Sequence, residues 1–327
     1  MRVVITGGAG FLGSRLAAAI LARNTLTDAR GVERGVREVV LVDVAEPRPH
    51  DDPRVRAMHG SLEERAFVDA AVTPDTDSVF HLAAVVSGQA EADFDIGMRV
   101  NVDATRHLLE RCRACTTPPK FVHASSIAVF GGALPDPLPD DAPVTPQSSY
   151  GTQKAIGELL VNDMSRRGFI DGRALRLPTI VVRPGKPNRA ASSFASGIIR
   201  EPLAGIEAIC PVAPETELWL QSPRAVVENL LVGHDVDASR LPAFRALNVP
   251  GIAIAVSDMV AALRDVAGAA VAERVQWRYD PAIDRIVSTW PARFDARIGP
   301  ALGMRADADF ATIVRDYIAE LGPQSAP

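Results

Sequence analysis

The chain has 327 residues, and 40 Asp and Glu against 35 Lys and Arg leave a formal net charge of -5. Hydrophobic residues make up 47% and charged residues 23%, a globular balance that excludes a nucleic-acid coat and a disordered tail. At ~100–200 residues per domain, the length suits one large or two closely joined domains that bury a core without a metal or disulfide scaffold.

Arg2 to Thr6 is a short β-branched run, followed by a Gly-rich turn and then by 11–23 with apolar residues at helical spacing. The apolar start imitates a signal peptide, but cleavage would destroy the glycine cluster that follows at once, so it reads as a first strand. Further strands are predicted at 38–43, 55–58, 78–82 and 120–124, separated by helical stretches. Alternating β and α units imply an α/β fold with a parallel sheet covered on both faces. Residues 90–115 and 149–167 read as the two best helices of this half, the first with Ile96, Val100 and Leu108 near one face. Regularity fades from Pro178 through Arg224, and returns with a strand at 246–250 and a helix at 257–267. No fixed-period repeat or low-complexity tract is found, and the final P-Q-S-A-P is expected to fray.

The segment T-G-G-A-G-F-L-G places Gly7, Gly10 and Gly13 after a strand and at the opening of a helix. Small residues let the backbone turn sharply and approach a pyrophosphate, whose charge then sits at the helix N-terminus. The second strand ends in Asp43, farther from the glycines than the usual ~20 residues, which fits an insertion around 26–37. Two readings of Asp43 stand. Its carboxylate caps a loop, or it accepts the ribose hydroxyls of NAD and repels the 2′-phosphate of NADP. Val44 and Ala45 offer that phosphate no cation.

H-L-A-A at 81–84, N-V-D-A-T at 101–105, S-S-I-A-V-F-G at 125–131 and Y-G-T-Q-K at 150–154 follow the glycine loop in the order of a known group. The chain resembles the extended short-chain dehydrogenases/reductases, the NAD-dependent epimerase/dehydratase family, over nearly its whole length. Within the family, 175–188 and 191–202 resemble members that act on small sugar acids. The resemblance implies a doubly wound parallel (Rossmann) sheet with a smaller, interleaved C-terminal substrate domain. It divides the chain into an NAD-binding domain at 1–177, with a returning segment near 225–250, and a substrate-binding domain at 178–224 and 251–327. It also implies that Gly7, Gly10, Phe11, Leu12, Gly13, Asp43, Ser61, Leu62, Leu82, Ala83, Ala84, Asn101, Ser125, Tyr150, Lys154 and Pro178 hold NAD. Three departures are visible: Ser61 where relatives often have Asp near the adenine, Ala104 for a common Gly, and Phe130 for a common Tyr. They bear on individual adenine contacts and not on the chemistry.

A phenol, which ordinarily ionises near pH ~10, is a poor base at neutral pH unless a nearby cation stabilises the phenolate. Tyr150 and Lys154 stand at i and i+4, one helical turn apart, so the ammonium can lie near the phenol and bond the nicotinamide ribose. Lowering the phenol by ~2–3 units needs ~3–4 kcal/mol, which the lysine and a positive nicotinamide could jointly supply. By alignment Ser126 is the hydroxyl that bonds the reacting oxygen, and Ser125 touches the nicotinamide side. Asn101 either orders the local backbone or a water in the catalytic set, or is a buried helix Asn bonding a neighbouring carbonyl.

A small hydroxy acid needs a cation, and the arginine fork matches a carboxylate. Arg183, Arg189, Arg200 and Arg224 all fall in the irregular segment expected to roof the pocket; each is a clamp candidate or a plain surface arginine, with Arg224 favoured. Ser87 lies just past a strand C-terminus, where parallel sheets place ligands, and is either a pocket residue or a helix N-cap. Thr179, Asn188 and Ser192 enter as pocket candidates by resemblance alone. The expected reaction is NAD-dependent oxidation of a secondary alcohol, the C2 hydroxyl of a four-carbon sugar acid, to a 2-oxo acid, in a homodimer.

Cys112, Cys115 and Cys210 are few and odd in number, which points to a reducing compartment with cytoplasm as the default. The single C-x-x-C lacks the second pair of a zinc site, the histidines show no metal spacing, and no metal is expected. No uncharged apolar run approaches the ~18–20 residues of a membrane span. Trp219, Trp277 and Trp290 read as core or pocket wall rather than as a platform for nucleic acid. Two rivals remain: a nucleotide-sugar 4-epimerase, against which Pro178-Thr179 stands where epimerases usually place an Asn, and a non-catalytic NAD-binding regulator, which would lack Tyr150 or Lys154.

Overall fold

The structure, a computed structural model, describes residues 1–47, 49–185 and 190–322. In chain order its main elements are β1 (Arg2–Thr6), α1 (Phe11–Arg23), β2 (Glu38–Asp43), β3 (Val55–His59), α2 (Arg65–Ala71), β4 (Ser78–His81), α3 (Ser87–Ala92) and α4 (Ala104–Cys112). They continue with β5 (Lys120–Ser126), α5 (Ser149–Arg166), β6 (Asp171–Leu177), α6 (Ser193–Leu203), α7 (Pro223–Asp235), β7 (Ala246–Asn248), α8 (Val256–Ala267) and α9 (Phe310–Leu321). Among the described residues the central sheet has seven strands in the order β7-β6-β5-β4-β1-β2-β3, all parallel. The chain winds outward through β2 and β3, then crosses to the other side of β1 at β4. That reversal opens a crevice at the C-terminal ends of β1 and β4.

Both sheet faces are covered, which is why β1 is buried along its length and reads as a continuous apolar run. Val3 and Ile5 pack with Leu16 and Ile20 of α1 and with Val226 and Leu230 of α7. Val4, Val40 and Val79 face the other way, toward Val68, Leu108 and Val161. The period of two along β1 thus meets the helical period of its neighbours on each side.

The turn into α1 depends on its glycines. Gly7 holds φ +72, and a Cβ on Gly13 would lie 2.2 Å from the Gly7 carbonyl oxygen. α1 ends where Asn24 takes a left-handed φ of 65 and its N–H returns to the Ile20 carbonyl. The insertion after it is a hairpin, Thr25–Thr27 against Glu33–Gly35, whose tip is tied by Asp28 Oδ1 accepting the Arg30 and Val32 N–H groups.

Two expectations are corrected. Residues 90–115 are not one helix: α3 stops before Asp93, whose extended backbone and side-chain bond from Ile96 N restart the chain, and a π turn spans Met98–Asp103 before α4. The segment 178–224 is more regular than its Pro, Gly and Arg content suggests. It supplies α6 and strands Thr179–Ile180, Ala208–Cys210 and Glu217–Gln221. The buried Phe194, Ala195, Ile198, Ile199 and Leu203 on α6 pack against Met259 and Leu263 of α8 and Ile313 and Val314 of α9 in a core distinct from those flanking the sheet. Among the described residues no helix is long and apolar enough to cross a membrane.

Candidate active site

A cavity of about 670 Å³ lies at the C-terminal ends of the central strands. One part is walled by the turn residues Gly7, Gly10, Phe11, Leu12 and Gly13, by Asp43 at the end of β2, by Ser61 and Leu62 after β3, and by Leu82, Ala83 and Ala84 after β4. The other part is walled by Ser125, Ser126, Tyr150, Lys154 and Pro178, with Ser87, Thr179, Arg183 and Ser192 above them. Trp290 completes this wall, together with Ile96 and Val100 from the broken helix.

Asp43 caps a loop and also stands where the cofactor reading needs it. Its carboxylate accepts the Ala9 N–H at 3.0 Å and the Ala45 N–H at 2.9 Å, and it still borders the cavity. The strand-end His81 fixes the neighbouring wall through a chain whose direction the donors dictate. Ala83 N–H donates to Thr6 Oγ1, which donates to His81 Nδ1 at 2.7 Å; His81 Nε2–H then donates to Thr105 Oγ1 at 2.8 Å, and Thr105 donates to the Asn101 carbonyl. Burial pushes the His81 imidazole down to about 3, so it stays neutral as this chain requires.

Asn101 does not line the cavity. Its Oδ1 accepts the Val85 N–H at 2.8 Å, while its Nδ2 donates to the Val85 carbonyl at 3.0 Å and to Gln153 Oε1 at 2.8 Å. Its amide protons are spent on the loop after β4 and on α5, which favours the backbone-ordering reading over direct catalysis or cofactor contact.

Ser148 caps α5 by accepting the Gly151 N–H, and this sets the first turn that carries Tyr150. Ala128 N–H donates to Ser126 Oγ at 3.2 Å, leaving the Ser126 hydroxyl proton to bond the Tyr150 oxygen. Burial pushes the Tyr150 phenol up to about 12, while Arg183 and the Ser126 hydrogen bond pull the other way. Lys154 Nζ donates to the Ala124 carbonyl at 2.8 Å and lies 5.7 Å from the Tyr150 ring centroid. Burial pushes its ammonium down to about 8 against the opposing charge of Glu158. By itself the chain therefore holds Tyr150 as a neutral phenol beside a lysine poised near neutrality.

The candidate clamps separate clearly. Arg183 borders the cavity, with Nη2 donating to Ser192 Oγ at 2.6 Å and Nε to the Ile180 carbonyl at 3.1 Å. Among the described residues no carboxylate partners it. Burial and then the like charge of Arg200 lower its pKa, while Tyr150 opposes them. Arg200, expected as a clamp, is outside the cavity wall: Nη1 donates to the Arg183 carbonyl at 2.7 Å and Nη2 to Glu201 at 2.6 Å, so it supports the Arg183 backbone. Arg224, the favoured clamp, is corrected outright. It sits on the exposed side of α7, 3.2 Å from both Glu228 and Asp316, and its charge is already answered there. Asn188 and Arg189 lie outside the described residues. Ser87 opens α3 without capping it, since Val86 holds the N-cap position, and its Oγ accepts the Ala191 N–H at 3.4 Å.

One residue of this region carried no sequence reading at all. Glu158 is buried, 2.6 Å from Ser125 Oγ and in a two-pronged pair with Arg176. The available signal was its spacing, one turn beyond Lys154 on the face that carries Tyr150.

The residues present fit a dinucleotide: a turn in which Gly7 and Gly13 leave no room for a Cβ faces the same cavity as an acid at the end of β2. The family model described as NAD dependent epimerase/dehydratase family matches residues 3–214. The chain is 55% identical over 322 residues to a D-erythronate dehydrogenase of Cupriavidus necator, covering 98% of this chain and 99% of that protein. It is 45% identical over 319 residues to a D-erythronate dehydrogenase of Haemophilus influenzae, covering 97% and 99%. A solved structure described as a nucleoside-diphosphate-sugar epimerase from Agrobacterium tumefaciens superposes with a TM-score of 0.91 at 40% identity, covering 98% of this chain and 95% of that one. With the ordered motifs, the parallel sheet and these matches agreeing, the chain belongs to the NAD dependent epimerase/dehydratase family.

Proposed function

We propose that this protein is an NAD-dependent dehydrogenase that oxidises the secondary alcohol beside the carboxylate of a small sugar acid, with the C2 hydroxyl of D-erythronate as the leading candidate. The observation that carries the reading is Arg183. A largely buried guanidinium without an acidic partner among the described residues borders the same cavity as Tyr150 and Ser126, and a substrate carboxylate is the counter-charge it lacks. The full-length matches to two D-erythronate dehydrogenases support the substrate class.

In this reading Tyr150, as phenolate, takes the hydroxyl proton, and Ser126 donates a hydrogen bond to the oxygen as it becomes a carbonyl. Bound NAD supplies the acceptor for the hydride that leaves the carbon. Arg183, whose charge already opposes the burial of the phenol, and Lys154, 5.7 Å from the Tyr150 ring centroid, bring the positive charge that stabilises the phenolate. Asp43 would accept the adenosine ribose hydroxyls of the bound cofactor and disfavour a 2′-phosphate. Residues 1–177, with the return near 225–250, hold the cofactor, while 178–224 and 251–327 hold the substrate. Phe94 and Leu159, 59% and 60% exposed on the neighbouring segments before and after the catalytic Ser, suit a homodimer interface, and the separate thiols of Cys112, Cys115 and Cys210 suit the cytoplasm.

A second reading, nucleotide-sugar 4-epimerase with retained NAD, is favoured by the description of the Agrobacterium tumefaciens structure. A panel of aldonic acids and nucleotide sugars, with free NADH followed by absorbance, separates the two. Stoichiometric NADH from D-erythronate is expected. Interconversion of a nucleotide sugar with no NADH from any acid would replace the dehydrogenase with the epimerase.

A further inference from the structure

Tyr150, Lys154 and Glu158 stand at i, i+4 and i+8 on α5, so one helix face presents a phenol, an ammonium and a carboxylate in sequence. The Glu158 carboxylate has donors on both oxygens. Ser125 Oγ donates to Oε1 at 2.6 Å, Arg176 Nε to the same oxygen at 2.9 Å, and Arg176 Nη2 to Oε2 at 2.8 Å. Arg176 is held in turn by Asn248 Oδ1 at 3.3 Å and lies over the Phe130 ring at 4.7 Å. One acid on α5 thus joins the end of β5, where Ser125 precedes Ser126, to β6.

Stability alone does not account for the pair. Its side chains are 3% and 1% exposed, and a buried ion pair of this kind is commonly no better for the fold than apolar residues of the same volume. Its location does account for it. The groups facing Lys154 are Tyr150 and Glu158 from its own helix, the buried His123 from β5 and the buried His81 from β4. Burial and the nearby Lys154 charge keep both imidazoles neutral. Glu158 is the carboxylate whose charge reaches Lys154.

We propose that Glu158 is a positioning residue of the reaction: it supplies the negative charge that faces the Lys154 ammonium and clamps Ser125, and with it the strand end bearing Ser126, while Arg176 locks the carboxylate in place. The proposal builds on the dehydrogenase reading only for its kinetic consequence, because the charge relation exists in the protein alone.

The chain contains three lysines, Lys120, Lys154 and Lys186, so carbon-13 labelling at lysine Cε gives three separable titrations without substrate. In the wild type Lys154 is expected to titrate at about 8. In Glu158→Gln its midpoint should fall by about one pH unit or more, with Lys120 unmoved. Because that change leaves Arg176 buried and unpaired, the second variant is Glu158→Met with Arg176→Met, which removes both charges and keeps the volume. It should fold, show a fall at Lys154 that is smaller than in Glu158→Gln because the Arg176 cation leaves with the carboxylate, and shift the alkaline limb of the kcat profile for NADH formation by the amount of its own fall. A folded double variant whose Lys154 titrates as in the wild type overturns the proposal. So does loss of the fold in both variants, since the carboxylate would then serve the fold itself. Wild-type inactivity on D-erythronate would remove the dehydrogenase reading and leave the lysine titration standing.

Discussion

The Asp43 carboxylate accepts the Ala9 and Ala45 N–H groups and still borders the cavity, so the side chain that caps the loop is also the one placed to select the proposed cofactor. The hydrogen bonds hold the negative charge in a fixed place, and a 2′-phosphate brought there would meet it at close range. Asp43→Asn removes the charge and keeps an oxygen acceptor for one of those two backbone groups, which meet different carboxylate oxygens. The expected outcome is that the ratio of kcat/KM for NAD over NADP falls by at least about tenfold, since like charges placed together cost several kcal/mol and 1.4 kcal/mol is tenfold. An unchanged ratio would show that Asp43 is only a cap. Arg224 teaches the opposite lesson. Nothing in the local sequence announces that Asp316, far along the chain, will answer its charge, so the favoured clamp was the one that folding had already paired.

At the scale of elements, α1 was legible to the residue because its signals are local: glycines that admit the turn at one end, and Asn24 able to take a left-handed backbone at the other. β6 was not. Its sequence D-G-R-A-L-R-L has two arginines and an aspartate in a strand that is buried throughout, and it escapes any apolar pattern. Its charges are answered only by tertiary partners: Arg173 by Asp171 and by the Gly233 and His234 carbonyls at the end of α7, and Arg176 by Glu158. Lys120 at the start of β5 joins the same helix end, donating to the His234 carbonyl at 2.8 Å. Burial, with the like charge of Arg173, pushes its ammonium down to about 8. The folded state thus holds the Lys120 proton less tightly than the unfolded chain, so this group's contribution to stability rises as pH climbs from about 8 toward the free-lysine value of ~10.5. Lys120→Met lacks that contribution. Its loss of stability relative to the wild type, measured by denaturant unfolding, is expected to grow across that window, and a pH-independent difference would contradict the assignment.

At the scale of the whole molecule, the doubly wound sheet gathers side chains from every region of the chain at its C-terminal rim. The glycine turn, Asp43, the strand ends and α5 were readable from ordered motifs. The part above them was not, because α6 and its neighbours are organised by a separate apolar core whose helical spacing is interrupted by Gly, Pro and Arg. That core carries Ser192 and the support for Arg183, and so sets Arg183, rather than Arg200 or Arg224, on the cavity wall.

In the proposed reaction Arg183, which borders the cavity with Tyr150, receives the carboxylate of a hydroxy acid. The most direct measurement is the initial rate of NADH formation from D-erythronate by the wild type and by Arg183→Ala, with NAD affinity followed separately. A charge-assisted hydrogen bond is worth ~1.5–3 kcal/mol. In Arg183→Ala, KM for the acid is therefore expected to rise at least about tenfold while NAD binding stays nearly unchanged. An unchanged KM in the variant, or no NADH from the wild type, would contradict it.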